Sequence, residues 1–244
     1  MVLAEAAIEF VPQEISGHPA VKNHAHRLGV RWSELLLDKS YHYAAMKKLR
    51  DSAKRGRPDI VHFALMEALS TPLFIENQLR VYVHTANDKI IAIADSLRIP
   101  KSYFRFEGLM VKLFSEGIVK SEDGAVLMEL SDGTFQSLIE GIDFEKVVGL
   151  SATGVSASAE QVARIVTGTE NCAFVIGGFP KGHFSERITR HLGPVYSIAA
   201  IGLEAHVVVA RVIYECEKLL EKSVDHEGDK KRREVRAREF EDSP

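Results

Sequence analysis

The tripeptide Arg57-Pro58-Asp59 closes a run of positive charge, Lys47, Lys48, Arg50, Lys54, Arg55 and Arg57, diluted by the single acid Asp51. Proline holds the residue before it extended and suits the first turn of a helix, where its missing N–H does no harm. An aspartate in that turn is favoured by the free N–H groups and the helix dipole. It can also hold an arginine through two parallel hydrogen bonds, which fixes the direction of the guanidinium. Two readings follow: a helix cap and nothing more, or a clamp that presents an oriented cation to an anion. A second basic segment, "RIPKSYFR", carries Arg98, Lys101 and Arg105 beside Tyr103 and Phe104, much as Tyr41 and Tyr43 lie beside the first. Such cations bind phosphates, and flat side chains stack on splayed single-stranded bases. A solvated helix face is the competing reading. Two separated basic segments, each hinged on a proline, lean toward a nucleic acid.

A different chemistry is offered by "VIGGFPKG". Gly177 and Gly178 sit at the carboxyl end of an apolar run, the edge at which open parallel sheets hold ligands. Without a Cβ, main-chain groups there can approach a bound molecule closely. "GLSATG" and "YSIAAIGLEA" repeat the pattern, each a strand end releasing into small residues. In a parallel sheet the three ends share one side and could form a pocket lined by backbone, suited to an adenine edge. Three ordinary strand–helix turns remain the alternative. The GxGxxG and GKS/GKT phosphate motifs are missing, as are HExxH, paired CxxC and GxSxG. The histidines are scattered, so zinc hydrolysis and serine catalysis lack support, and no metal is expected.

The elements that must position these residues belong to a chain of 244 residues, enough for one large domain or two small ones. With a net charge of −3 the molecule is no general polyanion binder, so any nucleic-acid role must come from local clustering. No apolar run approaches the roughly 18 residues of a membrane span, and "MVLAEAAIEF" lacks the layout of a secretory signal. Cys172 and Cys216 lie in apolar segments and read as core thiols of a cytoplasmic protein.

Along the chain, "VLAEAAIEFVP" reads as a short strand, and residues 13–34 as surface loop and helix, with His18, His24 and His26 lacking tight metal spacing. "SYHYAAMKKLRDSAKRG" reads as one helix with Tyr43, Met46 and Leu49 on its core face and a stop at Gly56. The next helix starts at Pro58, lines one side with Ile60, Phe63, Ala64, Ala68 and Leu69, and ends by Pro72. "LRVYVHT" and "KIIAIA" flank "ANDK" as a hairpin, and Phe106, Met110 and Leu113 stripe a further helix. Residues 115–145 show only turn signals. From about 146, buried strands alternate with helices: "KVVGLSAT", "SAEQVARIV", "CAFVIGG", "PVYSIAA" and a long closing helix. That alternation predicts an α/β fold with a parallel sheet covered on both faces. The charged end "DHEGDKKRREVRAREFEDSP" reads as a frayed helix extension or a tail.

Taken together, "RGRPDIVHFALMEALSTP", "LRVYVHT", "RIPKSYFRFEGLM", "VIGGFPKG" and "YSIAAIGLEA" resemble, in their order, the Nep/Emg ribosome-biogenesis proteins. These are small-subunit rRNA pseudouridine N(1)-specific methyltransferases of the SPOUT superfamily. The resemblance covers roughly residues 2–220, and the compact chain is similar to the archaeal branch. It implies a SPOUT-type parallel sheet with a C-terminal deep trefoil knot and helices on both faces, an exception to unthreaded topology. A domain over 1–222 and a charged tail over 223–244 are expected. It further implies S-adenosylmethionine at Ala152 or Thr153, at Gly177 and Gly182, and along Ile198, Ala199, Ala200, Ile201, Gly202 and Leu203. By the same resemblance Arg57, Arg98, Lys101 and Arg105 contact an rRNA hairpin loop, with Arg55 as an addition. Asp59 then orients Arg57, these two being the catalytic pair. A homodimer is implied, small-subunit ribosomal proteins are further candidate partners, and Val207 to Val212 suit knot packing or a dimer seam. Lys101 departs from members with arginine there: charge is kept, bidentate geometry is not. An rRNA-binding assembly factor without catalysis and a ribose 2′-O-methyltransferase of the same fold are the competing functions.

Overall fold

In a computed structural model of the protein, residues 1–221 are described. The expected tail over 223–244 lies outside the described residues. All eight named strands join one sheet: β1 (Val2–Ala6), β2 (Val81–Thr85), β3 (Lys89–Ile93), β4 (Ile118–Lys120), β5 (Val126–Asp132), β6 (Lys146–Ser156), β7 (Cys172–Gly177) and β8 (Val195–Ser197). Their order is β4-β5-β3-β2-β1-β7-β6-β8. Five of them, from β2 to β8, pair in parallel, whereas β2–β3, β3–β5 and β4–β5 pair antiparallel. The parallel strands expected from about 146 onward and the hairpin expected across 79–94 are both present. Hairpin connections force reversal wherever the link is too short for a crossover helix. One such link is the turn at Asp88, whose φ is 54°.

The burial of each strand follows its place. Every residue of β1 is buried, as a central parallel strand requires. Toward the open edge, β5 buries only Met128, so its sequence carried no continuous apolar signal and the 115–145 region was illegible. It holds β4, β5 and a short helix, α6 (Phe135–Ile142).

Eight helices are named and a ninth closes the described chain. α1 (Pro19–Leu28), α2 (Lys39–Met46), α3 (Pro58–Leu69), α4 (Pro72–Ile75) and α5 (Tyr103–Glu116) precede α6. α7 (Ala159–Thr167), α8 (Glu186–Thr189) and α9 (205–221) follow it. The one helix expected across 40–56 stops at Met46. A 3-10 turn, Ser52–Lys54, follows after Asp51 adopts φ 53°. Met46 and Leu49 are buried, but Tyr43 is 57% exposed and is not part of the core. Phe63 is likewise outside its expected face, at 49% exposed, while Val61 and Leu65 are buried.

α3 begins at Pro58 as the sequence predicts, with Asp59 in its first turn. Its apolar side and that of α5 meet in the main core, where Phe106, Met110 and Leu113 are fully buried beside Phe74 and Leu65. Truncating Phe106 to alanine in such a site costs about 3–5 kcal/mol. α5 stops at Gly117, whose φ of 76° needs no Cβ and whose N–H caps Leu113 O.

Candidate functional site

The middle of β6, the carboxyl end of β7, and β8 with the segment after it converge. "GLSATG", expected as a strand end, lies inside β6, which runs on to Ser156. The converging segments enclose a cavity of about 350 Å³. Its walls are aliphatic on one side, with Ile60, Leu150, Ile176, Ile198 and Val208, and run along the 177–184 and 198–204 segments on the other. Residues 198–203 lie in no strand or helix, and none of their N–H groups makes a main-chain hydrogen bond among the described residues. Free backbone donors beside a concave apolar wall are what a planar heteroaromatic ligand requires. Gly177 is needed for a local reason: a Cβ there would fall 2.7 Å from the Phe179 ring. Gly182 sits at φ +95°, where side chains are strained. β6 is irregular beside this wall. Leu150 and Val155 both register with Tyr196, so the residues between them bulge.

The basic face meets the cavity at the start of α3. Arg57 donates from Nε and a terminal nitrogen to the two oxygens of Asp59, at 2.8 and 2.7 Å. This bond is the leading cause that pushes the Arg57 pKa up. Ile60, one residue further along, lines the cavity, and the Glu204 carboxylate on the cavity rim adds to the field at Arg57. Helix α5 is fastened to the same place by two bonds. Tyr103 donates its hydroxyl to Asp38 at 2.7 Å. Burial first and this bond second push the Tyr103 pKa up, so it stays a phenol. His62 of α3 bonds through Nε2 to Pro100 O at 2.7 Å. A carbonyl only accepts, so that nitrogen carries the proton, and Nδ1 is left buried without a partner.

A third tie runs from the basic segment to the cavity wall. Lys54 bonds the buried Glu5 carboxylate and His183 O, and lies 4.4 Å from the centre of the Phe179 ring. Glu5 also accepts the Ser185 N–H, and its own φ is 49°. A strained residue with a buried charge persists only where the surroundings over-determine it.

The chain matches the family model described as EMG1/NEP1 methyltransferase over residues 1–217. It is 41% identical over 220 residues to "Ribosomal RNA small subunit methyltransferase Nep1" of Thermococcus kodakarensis, covering 90% of this chain and 98% of that protein. With the protein of the same description from Staphylothermus marinus it shares 40% over 219 residues, covering 90% and 95%. The chain belongs to the EMG1/NEP1 methyltransferase family. The solved structure of Archaeoglobus fulgidus Nep1 bound to S-adenosylhomocysteine superposes with a TM-score of 0.79 at 36% identity, covering 90% of this chain and 97% of that one. The fold of this EMG1/NEP1 chain is thus the α/β SPOUT type.

Of the residues expected around a ligand, Ala152, Gly177, Gly182, Ile198, Ala199, Ile201, Gly202 and Leu203 line the cavity. Thr153 and Ala200 do not; Thr153 instead shares a hydroxyl contact of 3.1 Å with Ser151. On the basic face, Arg98, Lys101 and Arg105 are exposed and make no ion pair among the described residues. Arg55 requires a correction. Both arms of its guanidinium are held at 2.7 Å by the buried carboxylate of Glu9, so it is not a free cation for RNA. Sequence reasoning missed Glu204, Phe179, His183 and Ile60 on the cavity wall. Only Glu204 carried a signal, a lone acid within "YSIAAIGLEA".

Proposed function

We propose that this methyltransferase transfers a methyl group from S-adenosylmethionine to N(1) of a pseudouridine in a hairpin loop of small-subunit rRNA, in the assembly of that subunit. The observation that carries this reading is the junction at the first turn of α3. The clamped Arg57 and the cavity-lining Ile60 stand three residues apart on one rigid element. A base presented to Arg57 is thereby presented to the cavity mouth.

The residues fit the donor. The unpaired N–H groups of 198–203 and the aliphatic wall suit an adenine ring, and the Glu204 carboxylate suits a cationic ligand. When bound there, S-adenosylmethionine supplies an electrophilic methyl to the deprotonated ring nitrogen. Arg57 orients the flipped base or its phosphate and stabilises negative charge as N(1) passes its proton to water, the methyl then leaving sulfur for N(1) with S-adenosylhomocysteine as product. Asp59 holds Arg57 in direction; locked in the bidentate pair, it is an orienter and a poor base. Arg98, Lys101 and Arg105 bring the phosphates of the loop to this mouth.

The reading includes four further parts. A knot over β6 to α9 is supported by the likeness to the family. A homodimer is supported by apolar surface at Phe63, Ile201 and Tyr214, which are 49%, 72% and 59% exposed. Cytoplasmic residence accords with the two free thiols; no helix among the described residues is long and apolar enough to cross a membrane. Small-subunit ribosomal proteins are further partners of the assembly step.

The test is a loop RNA carrying pseudouridine or uridine at the target, with labelled methyl donor. Incorporation into the pseudouridine RNA alone is expected. Equal labelling of both RNAs, or label found on the ribose 2′ oxygen, overturns the N(1) assignment. RNA binding without any transfer leaves an assembly factor.

A further inference from the structure

The exposed side of α2 carries a feature the reaction does not use. Residues 39–48, "KSYHYAAMKK", contain three lysines and no acid. Lys39, Tyr43 and Lys47 follow at helical spacing of four, so they share a face, which flanks the one that buries His42, Ala45 and Met46. Tyr43 is 57% exposed, and its hydroxyl has no hydrogen-bond partner among the described residues. The ammonium groups of Lys39 and Lys47 lie 5.6 and 5.5 Å from the centre of its ring. At that distance the cation–π attraction at an exposed site is weak, so the lysines are free to swing onto phosphates and uncover the ring.

This face is continuous with the one proposed to hold the hairpin. The N–H of Lys39 bonds Gly56 O at 2.9 Å, beside Arg57. The neighbouring Asp38 accepts the Tyr103 hydroxyl at the start of α5, which presents Phe104, 74% exposed, next to Lys101 and Arg105. An aromatic ring between unpaired cations, in line with a phosphate-binding face, is the surface on which a single strand stacks its bases and lays its backbone.

We infer that α2 binds a single-stranded rRNA segment flanking the target hairpin, stacking one base on Tyr43 while Lys39 and Lys47 contact the adjoining phosphates. This rests on the proposed RNA reading and extends it beyond the loop.

Affinity is measured for a bare hairpin and for the same hairpin with a uridine arm of about eight nucleotides on its 5′ or 3′ side. The full chain is used as wild type, Tyr43→Ala, Tyr43→Phe and Lys39→Gln/Lys47→Gln. In the wild type one arm is expected to tighten binding about tenfold, the scale of one stacked base. Tyr43→Ala removes that gain, Tyr43→Phe keeps it, and the double glutamine variant lowers the salt slope of the armed RNA only. No gain from either arm in the wild type, equal gains in wild type and Tyr43→Ala, or equal losses in the alanine and phenylalanine variants overturns the inference. An acidic peptide that competes for this face while neither arm binds overturns it as well, and makes the face a protein contact. A wild type that transfers no methyl group to any pseudouridine RNA strikes the reaction reading instead, since the arm comparison scores binding alone.

Discussion

Arg57 and Asp59 face one another across two parallel hydrogen bonds of 2.8 and 2.7 Å, on either side of Pro58. The proline makes the pairing local. It holds the arginine extended while the aspartate is already in the helix, so the two side chains converge from opposite sides of one peptide unit.

Asp59→Asn keeps the shape and removes the charge. With both partners about one-third exposed, the pair adds no more than about 1 kcal/mol to stability. Methyl transfer is expected to fall at least tenfold while thermal unfolding shifts little, because the oriented cation is lost rather than the fold. A large drop in melting temperature with unchanged kcat/KM per folded molecule sinks this assignment.

Arg55 answers in the opposite way. Arg55→Met strands the Glu9 carboxylate, 4% exposed, with Asn87 as its remaining hydrogen-bond donor. Breaking such a pair costs about 3–5 kcal/mol. Chemical denaturation should show that loss, and the partner change Glu9→Gln should recover part of it. The salt slope of RNA binding should stay as it is.

Among the described residues Lys101, Arg98 and Arg105 pair with no acid. Each neutral substitution should lower the slope of log K against log salt by about 0.7, the value for one released counterion on a single strand. Titrating binding at several salt concentrations reads this directly, and an unchanged slope in all three variants removes them from the interface.

His42 sets an acid limit on the fold. Its Nδ1 accepts the Asp38 N–H at 3.1 Å, so its other nitrogen carries the proton toward His24. Burial first, and the neighbouring His24 second, lower its pKa to about 4. The unfolded chain binds this proton near the ordinary 6.5 and the native state does not. Stability is therefore fully present above about 6.5 and declines as pH falls toward 4. Urea midpoints measured across that window should rise with pH, and more steeply in the wild type than in His42→Leu.

Glu204 lines the cavity proposed for the donor, whose positive charge is lost in the product. Glu204→Gln is expected to weaken S-adenosylmethionine several-fold and S-adenosylhomocysteine less, if the carboxylate faces the sulfonium. Calorimetric titration of both ligands decides it; equal losses place the carboxylate at a group the two ligands share.

The sequence disclosed the pieces whose physics is local. Pro58 and Asp59 announced the start of α3, the spacing of Phe106, Met110 and Leu113 announced α5, and three small-residue segments, one of them inside β6 rather than at its end, announced the cavity. What it hid was set by distant partners. Arg55 looked like Arg57 in the charge run, and only the fold shows that Glu9, 46 positions away, already holds it. Tyr43 looked like a core residue because its spacing from Met46 is helical, yet Asp51 turns the chain before that face can close. The β2–β3 hairpin was announced by its turn, but β4 and β5 escaped notice because an edge strand such as β5 has no continuous apolar run to betray it.

The loop from 198 to 203 has one more implication. Where a guest is gripped by peptide groups, alanine scanning reads only the aliphatic contacts, such as Ile198, and passes over the backbone donors beside them. Replacing single amides by esters, or residues by proline, removes the donors themselves.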